Sequence, residues 1–488
     1  MRCLALAKEL YEKNTEIVFV CRDLPGNICD KIKSYGFTVF LLPFTPEFNT
    51  PTDQLNNLSN SIIYEDASST CEILSSYPLF DWLILDHYSL DQKWEDVVQP
   101  IAKRIFVIDD MANRPHNCDA ILDQNLHKDM EYRYQNLLKT NCRQFMGPRY
   151  ALLRSEFKKQ RQVFQEKNKT IETLLIMFGG TDPDNETLKV LQALITIENI
   201  DIQINVIISE KNQYLNKIRT LIGQIKNACL ISNPNNVAEL MANADLAIGA
   251  GGSSSWERCC VGLPSVLVSM AENQEEVCAS LSDAGAAIYI GSTKTTTVSQ
   301  YKYLIPYLIN NPEHVDRMRK RARELVDGRG CERIKKWIYT PDIKLRFAGK
   351  NDCIPMFYWR NDINTRKYSH DPTPLNYDKH LAWCNEAIAD PKCVILVAEI
   401  ESLSISIVRF DINNGNAKIS LYLVPKYAGQ GLGEHVLKSA IKWVKNNYPN
   451  INELRAEIKS ENIPSLKTFI NAGFSEKNRV FVFECADS

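Results

Sequence analysis

The stretch AIGAGGSSSWERCCVGL, Ala247–Leu263, decides how most of this chain reads. An apolar strand ending near Ile248 runs into Gly249, Gly251 and Gly252, then Ser253, Ser254 and Ser255, and a helix carrying Trp256, Glu257 and Arg258 follows. Glycines let a backbone come close to a bulky ligand, serines cap a helix and offer hydroxyls, and the unpaired N–H groups of a first helical turn attract anions. The turn therefore fits a phosphate-bearing ligand, and Glu257 is placed to accept hydrogen bonds from a pair of sugar hydroxyls. Plain helix capping is the alternative reading of a Gly-Ser stretch.

Working outward, TLLIMFGGTDPDN (Thr173–Asn185) is a second strand and glycine turn, with Gly179, Gly180, Thr181 and Asp182 ahead of a helix. Strands are expected at Ile202–Ile208, Ala228–Ser232 and Leu263–Met270, and Asn273 and Gln274, just past the last of these, face the crevice of Glu257. The basic helix Arg317–Val326 reads as a solvated face. Towards the N-terminus, an amphipathic helix over MRCLALAKELYEKN precedes strands at Glu16–Asp23, Phe37–Pro43, Trp82–Tyr88 and Arg104–Met111. Strands alternating with helices indicate doubly wound parallel sheets, whose ligands sit beyond the carboxyl ends of the strands. Asp86, His87, Tyr88, Asp109 and Asp110 fall at such ends. For Asp86 and Asp109, capping or loop hydrogen bonding stands level with ligand contact. The polar run between Ser155 and Thr170 reads as an exposed helix and hinge.

From about Leu345 the pattern changes. Val394–Ile400, Ser404–Asp411 and Lys418–Pro425 read as an antiparallel meander whose last strand enters a long amphipathic helix through Gly429, Gly431 and Gly433. That context supports a third phosphate cradle. Strands at Leu454–Ser460 and RVFVFEC close the chain.

At 488 residues the chain exceeds one core, and at roughly 100 to 200 residues per domain it should hold three. A net charge of −2 gives no electrostatic reason to expect nucleic acid or an anionic membrane. Fifteen scattered cysteines without C-x-x-C point to reduced thiols and a cytoplasmic protein. Neither a membrane-length apolar run nor metal-ligand spacing is present, so no metal is expected.

Residues 345–488 resemble GNAT-type N-acetyltransferases through Gly429, Gln430, Gly431, Leu432 and Gly433 and through Asn462, Ser465, Gly473 and Phe474. The resemblance implies acetyl-CoA as cosubstrate, bound by Leu423, Val424, the glycine turn and Asn462. Ala428 stands where that family usually has Gln or Arg, and Phe469 where many members carry a proton-donating Tyr. The acid would then be another group or water.

Residues 1 to about 340 resemble the UDP-sugar hydrolases of pseudaminic acid biosynthesis, which remove UDP from UDP-2,4-diacetamido-2,4,6-trideoxy-β-L-altropyranose and share the GT-B fold of two-Rossmann-domain glycosyltransferases. MRCLALAKEL, LDHY, VIDDMANRPHNCDAILDQN, FGGTDPDN, GAGGSSSWERCCVGLPS and ENQ carry the likeness. It implies that Glu257 holds the ribose, that Gly180, Thr181 and the turn through Gly251, Gly252, Ser253, Ser254 and Ser255 hold the diphosphate, and that Tyr88, Asn273 and Gln274 lie near the sugar or the attacking water. It also places a first strand and a G-x-G-H loop, whose histidine activates that water, ahead of the residue matching Met1. None of the seven histidines occupies that position, though His87 lies in the crevice. A start assigned too late, or a truncated gene, is the expectation that follows.

The expected architecture is thus α/β, with two Rossmann-like (GT-B-like) halves at 1–160 and 170–340 followed by a GNAT α+β domain at 345–488. The expected function is bifunctional, in pseudaminic (nonulosonic) acid biosynthesis: acetyl-CoA-dependent N-acetylation of a UDP-linked 4-amino sugar, then hydrolysis releasing UDP. A GT-B glycosyltransferase with a UDP-sugar donor, and a hydrolytically inactive UDP-sugar binding module attached to an acetyltransferase, are the alternatives.

Overall fold

A computed structural model describes residues 1–12, 15–48, 58–163, 170–180, 182–198, 200–340, 343–369, 371–400, 402–413, 415–429 and 431–476. The chain forms two compact units, Met1–Lys336 and Trp337–Ser488.

The first unit opens with the helix Arg2–Leu10, followed by β1 (Val18–Arg22) and β2 (Thr38–Leu42), which pair in parallel. A separate four-stranded parallel sheet comprises β3 (Leu83–Asp86), β4 (Ile105–Ile108), β5 (Ala120–Asp123) and β6 (Arg143–Met146), in that order. Ile105, Phe106, Ile121 and Leu122 are fully buried, as befits strands covered on both faces. β1 and β3 are not joined by any strand among the described residues.

The second sheet of this unit contains β7 (Thr173–Met177), β8 (Gln203–Ile208), β9 (Ala228–Ser232), β10 (Leu246–Ala250), β11 (Ser265–Ser269) and β12 (Ala287–Ser292), all parallel. Its spatial order is β12-β11-β10-β7-β8-β9, so the chain reverses its direction of travel between β7 and β10. The expected polar face of the basic helix is only partly solvated. Arg319 is buried and donates to the carbonyls of Gly262 and Asp245; Gly262 ends the helix Ser254–Val261, where the last carbonyls lack a helical partner.

In the second unit, β13 (Lys344–Phe347), β14 (Cys393–Ile400), β15 (Leu403–Asn413) and β16 (Asn416–Leu423) form an antiparallel run, and β17 (Glu453–Arg455) adds in parallel to β16. Side chains alternate across this sheet. Val394, Leu396, Ala398 and Ile419 pack with Val436, Leu437 and Ala440 of the helix Leu432–Asn447, while Ile395, Val397 and Tyr422 face Met356 and Trp359 of the helix Cys353–Asn361. Cys353 and Cys384 form a disulfide across 31 residues, which corrects the expectation of reduced thiols throughout. The expected strand Leu454–Ser460 shrinks to Glu453–Arg455, and RVFVFEC lies outside the described residues. Among the described residues no helix is long and apolar enough to cross a membrane.

Candidate functional site

The two glycine turns of the first unit meet at one place. β7 and β10 are hydrogen-bonded neighbours, so the turn at Gly179–Gly180 and the turn at Gly251–Ser255 leave the carboxyl end of the sheet side by side, where the strand order reverses. Open α/β sheets form their ligand crevice at such a switch point. Thr181 lies outside the described residues. Asp182 caps the helix Glu186–Ile195, its carboxylate oxygens accepting from the N–H groups of Glu186 and Thr187 at 2.9 Å each.

The glycines of the second turn divide by role. A Cβ on Gly249 would lie 2.3 Å from the Met177 carbonyl oxygen, and one on Gly251 would lie 1.9 Å from Cys278 Sγ. Protein packing therefore demands glycine at both. Gly252 is different, since a Cβ there would meet nothing nearer than Gln274 Nε2 at 3.6 Å. Beneath the turn, buried Arg258 donates to Ala250 O at 2.6 Å, Ser255 Oγ at 3.0 Å and Ser254 Oγ at 3.2 Å. Ser253 is exposed and makes no side-chain cap. Glu257 accepts from Arg154 Nη2 at 3.3 Å, and burial nevertheless raises its carboxyl above the ordinary range. Gln274 turns inward, its Oε1 accepting from Met270 N at 3.0 Å.

The other half of the unit offers a charged cluster at the ends of β3, β4 and β5. Arg2 binds Asp86 at 2.8 Å and Asp110 at 2.9 Å, and its guanidinium lies 5.9 Å from the Tyr88 ring centroid. Burial works against the Asp86 charge, yet Arg2 holds that carboxyl below its usual range. Asp110 is raised by burial, and Asp123 is pushed up to about 7 by burial, with Asp110 and Asp109 adding to the effect. Burial pushes the Tyr88 phenol up to about 12.

Residues of the second sheet reach this cluster. Asn273 Nδ2 points at Met111 Sδ, 3.7 Å away, next to Asp110, so Tyr88 and Asn273 border one group of side chains. Glu276 meets His127 at 2.9 Å and Arg133 at 3.5 Å. Trp256, fully buried, donates from Nε1 to Asn125 Oδ1 at 3.2 Å.

His87 stands apart in its chemistry. Its Nδ1 accepts from the Ser89 N–H at 3.1 Å, its ring packs edge-on to Phe48, and burial pushes its pKa down to about 4. With Nδ1 engaged as acceptor, the neutral ring carries its proton on Nε2 and keeps no free lone pair for water. His87 is not placed to act as a base.

In the second unit, β16 pairs with β17 only over Asn416–Lys418 and then continues alone on that side to Leu423 among the described residues. An extended ligand can add to such an open backbone edge. Val424 follows, its N–H donating to Ile405 O at 2.8 Å. Gly429 and Gly431 both take positive φ, 79° and 75°, with open space where a side chain would project. Gln430 lies outside the described residues. Gly433 packs against Thr468, and Asn462 caps its own helix by accepting from Ser465 N at 3.2 Å. Phe469 is buried against Phe474, centroids 5.0 Å apart, and has no acid–base chemistry to offer.

Residues 342–475 match the acetyltransferase (GNAT) domain family, and residues 173–335 match the glycosyltransferase family 28 C-terminal domain family. The chain is a fusion of these two domain types. The uncharacterized protein MJ1062 of Methanocaldococcus jannaschii is 25% identical over 98% of this chain and 94% of its own length, so that alignment spans both parts of the fusion. The spore coat polysaccharide biosynthesis protein SpsG of Bacillus subtilis is 28% identical over 44% of this chain and 63% of its own. The UDP-2,4-diacetamido-2,4,6-trideoxy-beta-L-altropyranose hydrolase of Campylobacter jejuni is 26% identical over 58% of this chain and 90% of its own. The fusion therefore pairs a nucleotide-sugar-processing fold with an N-acetyltransferase fold, and the GNAT domain implies acetyl-CoA.

Sequence reasoning missed Arg258, Arg154, His127 and Glu276. Arg258 reads in the sequence only as a residue of the helix after the glycines, and its position four residues after Ser254 is the one signal that it can reach back under the turn.

Proposed function

We propose that the fusion acts twice on one nucleotide sugar, acetylating the 4-amino group of a UDP-linked 2,4,6-trideoxyhexose and then hydrolysing UDP from the diacetamido product, as in pseudaminic (nonulosonic) acid biosynthesis. The observation that carries the reading is the pair of glycine turns at the β7–β10 switch point with Glu257 beside them. Glu257 would bind the ribose, and Gly180, Thr181 and Gly252–Ser255 the diphosphate. Tyr88, Asn273 and Gln274 would border the sugar. The likeness to the Campylobacter hydrolase supports the UDP-linked substrate.

In the second unit, the open edge of β16 and the N–H groups around Gly429–Gly433 would hold acetyl-CoA. Backbone donors would polarise the thioester carbonyl as a neutral amine attacks it. The amine must lose a proton and the thiolate must gain one. Phe469 supplies neither service, so water carries the proton in this reading.

The test follows free thiol and free UDP separately, from acetyl-CoA and the UDP-linked 4-amino sugar. Thiol release followed by UDP and free sugar supports the proposal. UDP released only when an acceptor sugar is present points to glycosyl transfer, and UDP-sugar binding with no UDP release points to a binding module.

A further inference from the structure

Among the described residues of the second unit, most arginines are neutralised or saturated. Arg346 pairs with Asp352 and Glu399, Arg409 with Asp411, and Arg455 with Glu453. Arg366 is taken up by the carbonyls of Asn361 and Pro372. Arg360 is the exception. It is half-buried near the end of the helix Cys353–Asn361, its one hydrogen bond among the described residues runs from Nη1 to Ser369 Oγ, and no carboxylate there pairs with it. Ser369 is itself fixed, donating to Thr365 O at 3.3 Å, so it orients the guanidinium without neutralising it. Burial lowers the Arg360 pKa, and Tyr422 and Asp371 offset this only through space.

Tyr422 faces the helix that carries Arg360. It lies in β16, one residue before Leu423, on the sheet face covered by Met356 and Trp359. Burial raises its phenol far above the ordinary range, so it stays protonated, and its hydroxyl has no hydrogen-bond partner among the described residues. A guanidinium and a phenol, both donors and neither hydrogen-bonded to a carboxylate among the described residues, thus belong to a helix and a strand packed on one face of the sheet, near where β16 gives way to the turn that leads to Gly429. A half-buried cation left in this way calls for an anion. The guanidinium fork and a hydroxyl from a second direction suit a phosphate better than a lone point charge would.

We propose that Arg360 and Tyr422 form the anchor for a phosphate of the acceptor, holding a nucleotide-linked amino sugar so that its amine lies at the end of β16. This rests on the proposed acetyltransferase reading and deepens it. A sugar carrying phosphate at one end of its ring and the amine at the other would then be preferred over the same sugar without the nucleotide.

The test uses the full chain and thiol release from acetyl-CoA, with the UDP-linked 4-amino sugar and the identical free amino sugar as acceptors. In the wild type the UDP-linked acceptor should have the higher kcat/KM. Arg360→Ala should raise KM for the UDP-linked acceptor by about 10- to 100-fold, with KM for acetyl-CoA unchanged, so that discrimination between the acceptors collapses. Arg360→Lys, a safer variant for folding, should keep part of the preference, and Tyr422→Phe should lose part of it. Equal wild-type kcat/KM for the two acceptors, or an Arg360→Ala loss shared equally between them, would overturn the anchor while leaving the acetyltransferase reading standing. Absence of thiol release with both acceptors would overturn the reading and the anchor together.

Discussion

His127 Nδ1 and Glu276 Oε1 lie 2.9 Å apart, joining the loop after β5 to the helix that follows Asn273 and Gln274. One buried imidazole thereby links the charged cluster of β3–β5 to that helix. Arg133 shares the same carboxylate, and Asp123 lies on the other side of the ring, 3.8 Å from Nε2.

Burial lowers the His127 pKa, and Glu276 opposes that shift. Glu276→Gln should therefore lower it further, which an imidazole titration by NMR would detect. Stability assigned to this ring is present above its unfolded value near 6.5 and is lost as pH falls towards its folded value. An unchanged or raised pKa in Glu276→Gln would contradict the contact.

Asp123 has the opposite sign. Its folded pKa is about 7 against 3.8 for the free carboxyl, so the folded state binds the extra proton between those values, and this contribution to stability disappears as pH rises through 7. Asp123→Asn should flatten the fall in unfolding free energy between about pH 6 and about pH 8 by about 1 kcal/mol, measured by urea denaturation at the two pH values. Identical pH slopes in variant and parent would refute it.

Glu257→Ala should weaken UDP binding by about 10- to 100-fold, the range for losing hydrogen bonds from a charged group. Isothermal titration of the full chain with UDP checks this. Unchanged affinity would remove Glu257 from the nucleotide site and leave it as the partner of Arg154 alone.

Gly251→Ala should destabilise the first unit by about 1–3 kcal/mol, the usual cost of overpacking, because the new methyl collides with Cys278 Sγ. Cys278→Ala in the same chain should restore most of that loss, since the sulfur is the atom in the way. A double variant no more stable than Gly251→Ala would show that the turn needs glycine for another reason.

Much of the fold is readable from the residues. Strands such as β7, β10 and β14 are apolar runs cut off by glycine or charge, and their turns announce the crevice. β5 and β6 are not legible in the same way. AILD is too short to show a period, and RQFM begins with two exposed polar residues. β12 and β13 escape the sequence reading as well, β13 for the same want of length. Within the candidate site, the strand-end positions of Asp86, His87 and Tyr88 are evident, whereas their ionisation is not. It depends on burial and, for Asp86 and Tyr88, on Arg2, both of which are set by folding. Gly251 shows the same limit from the other side. Its glycine reads as room for a ligand, but the space is filled by Cys278.

Among the described residues β16 has no neighbour on one side beyond Lys418, and this edge also bears on handling. A strand with unsatisfied backbone groups is a template for another chain, and proteins generally blunt such edges because they seed aggregation. If acetyl-CoA occupies this one, the coenzyme doubles as a solubilising cover. Preparations stripped of it should then scatter more light on storage than preparations kept with it.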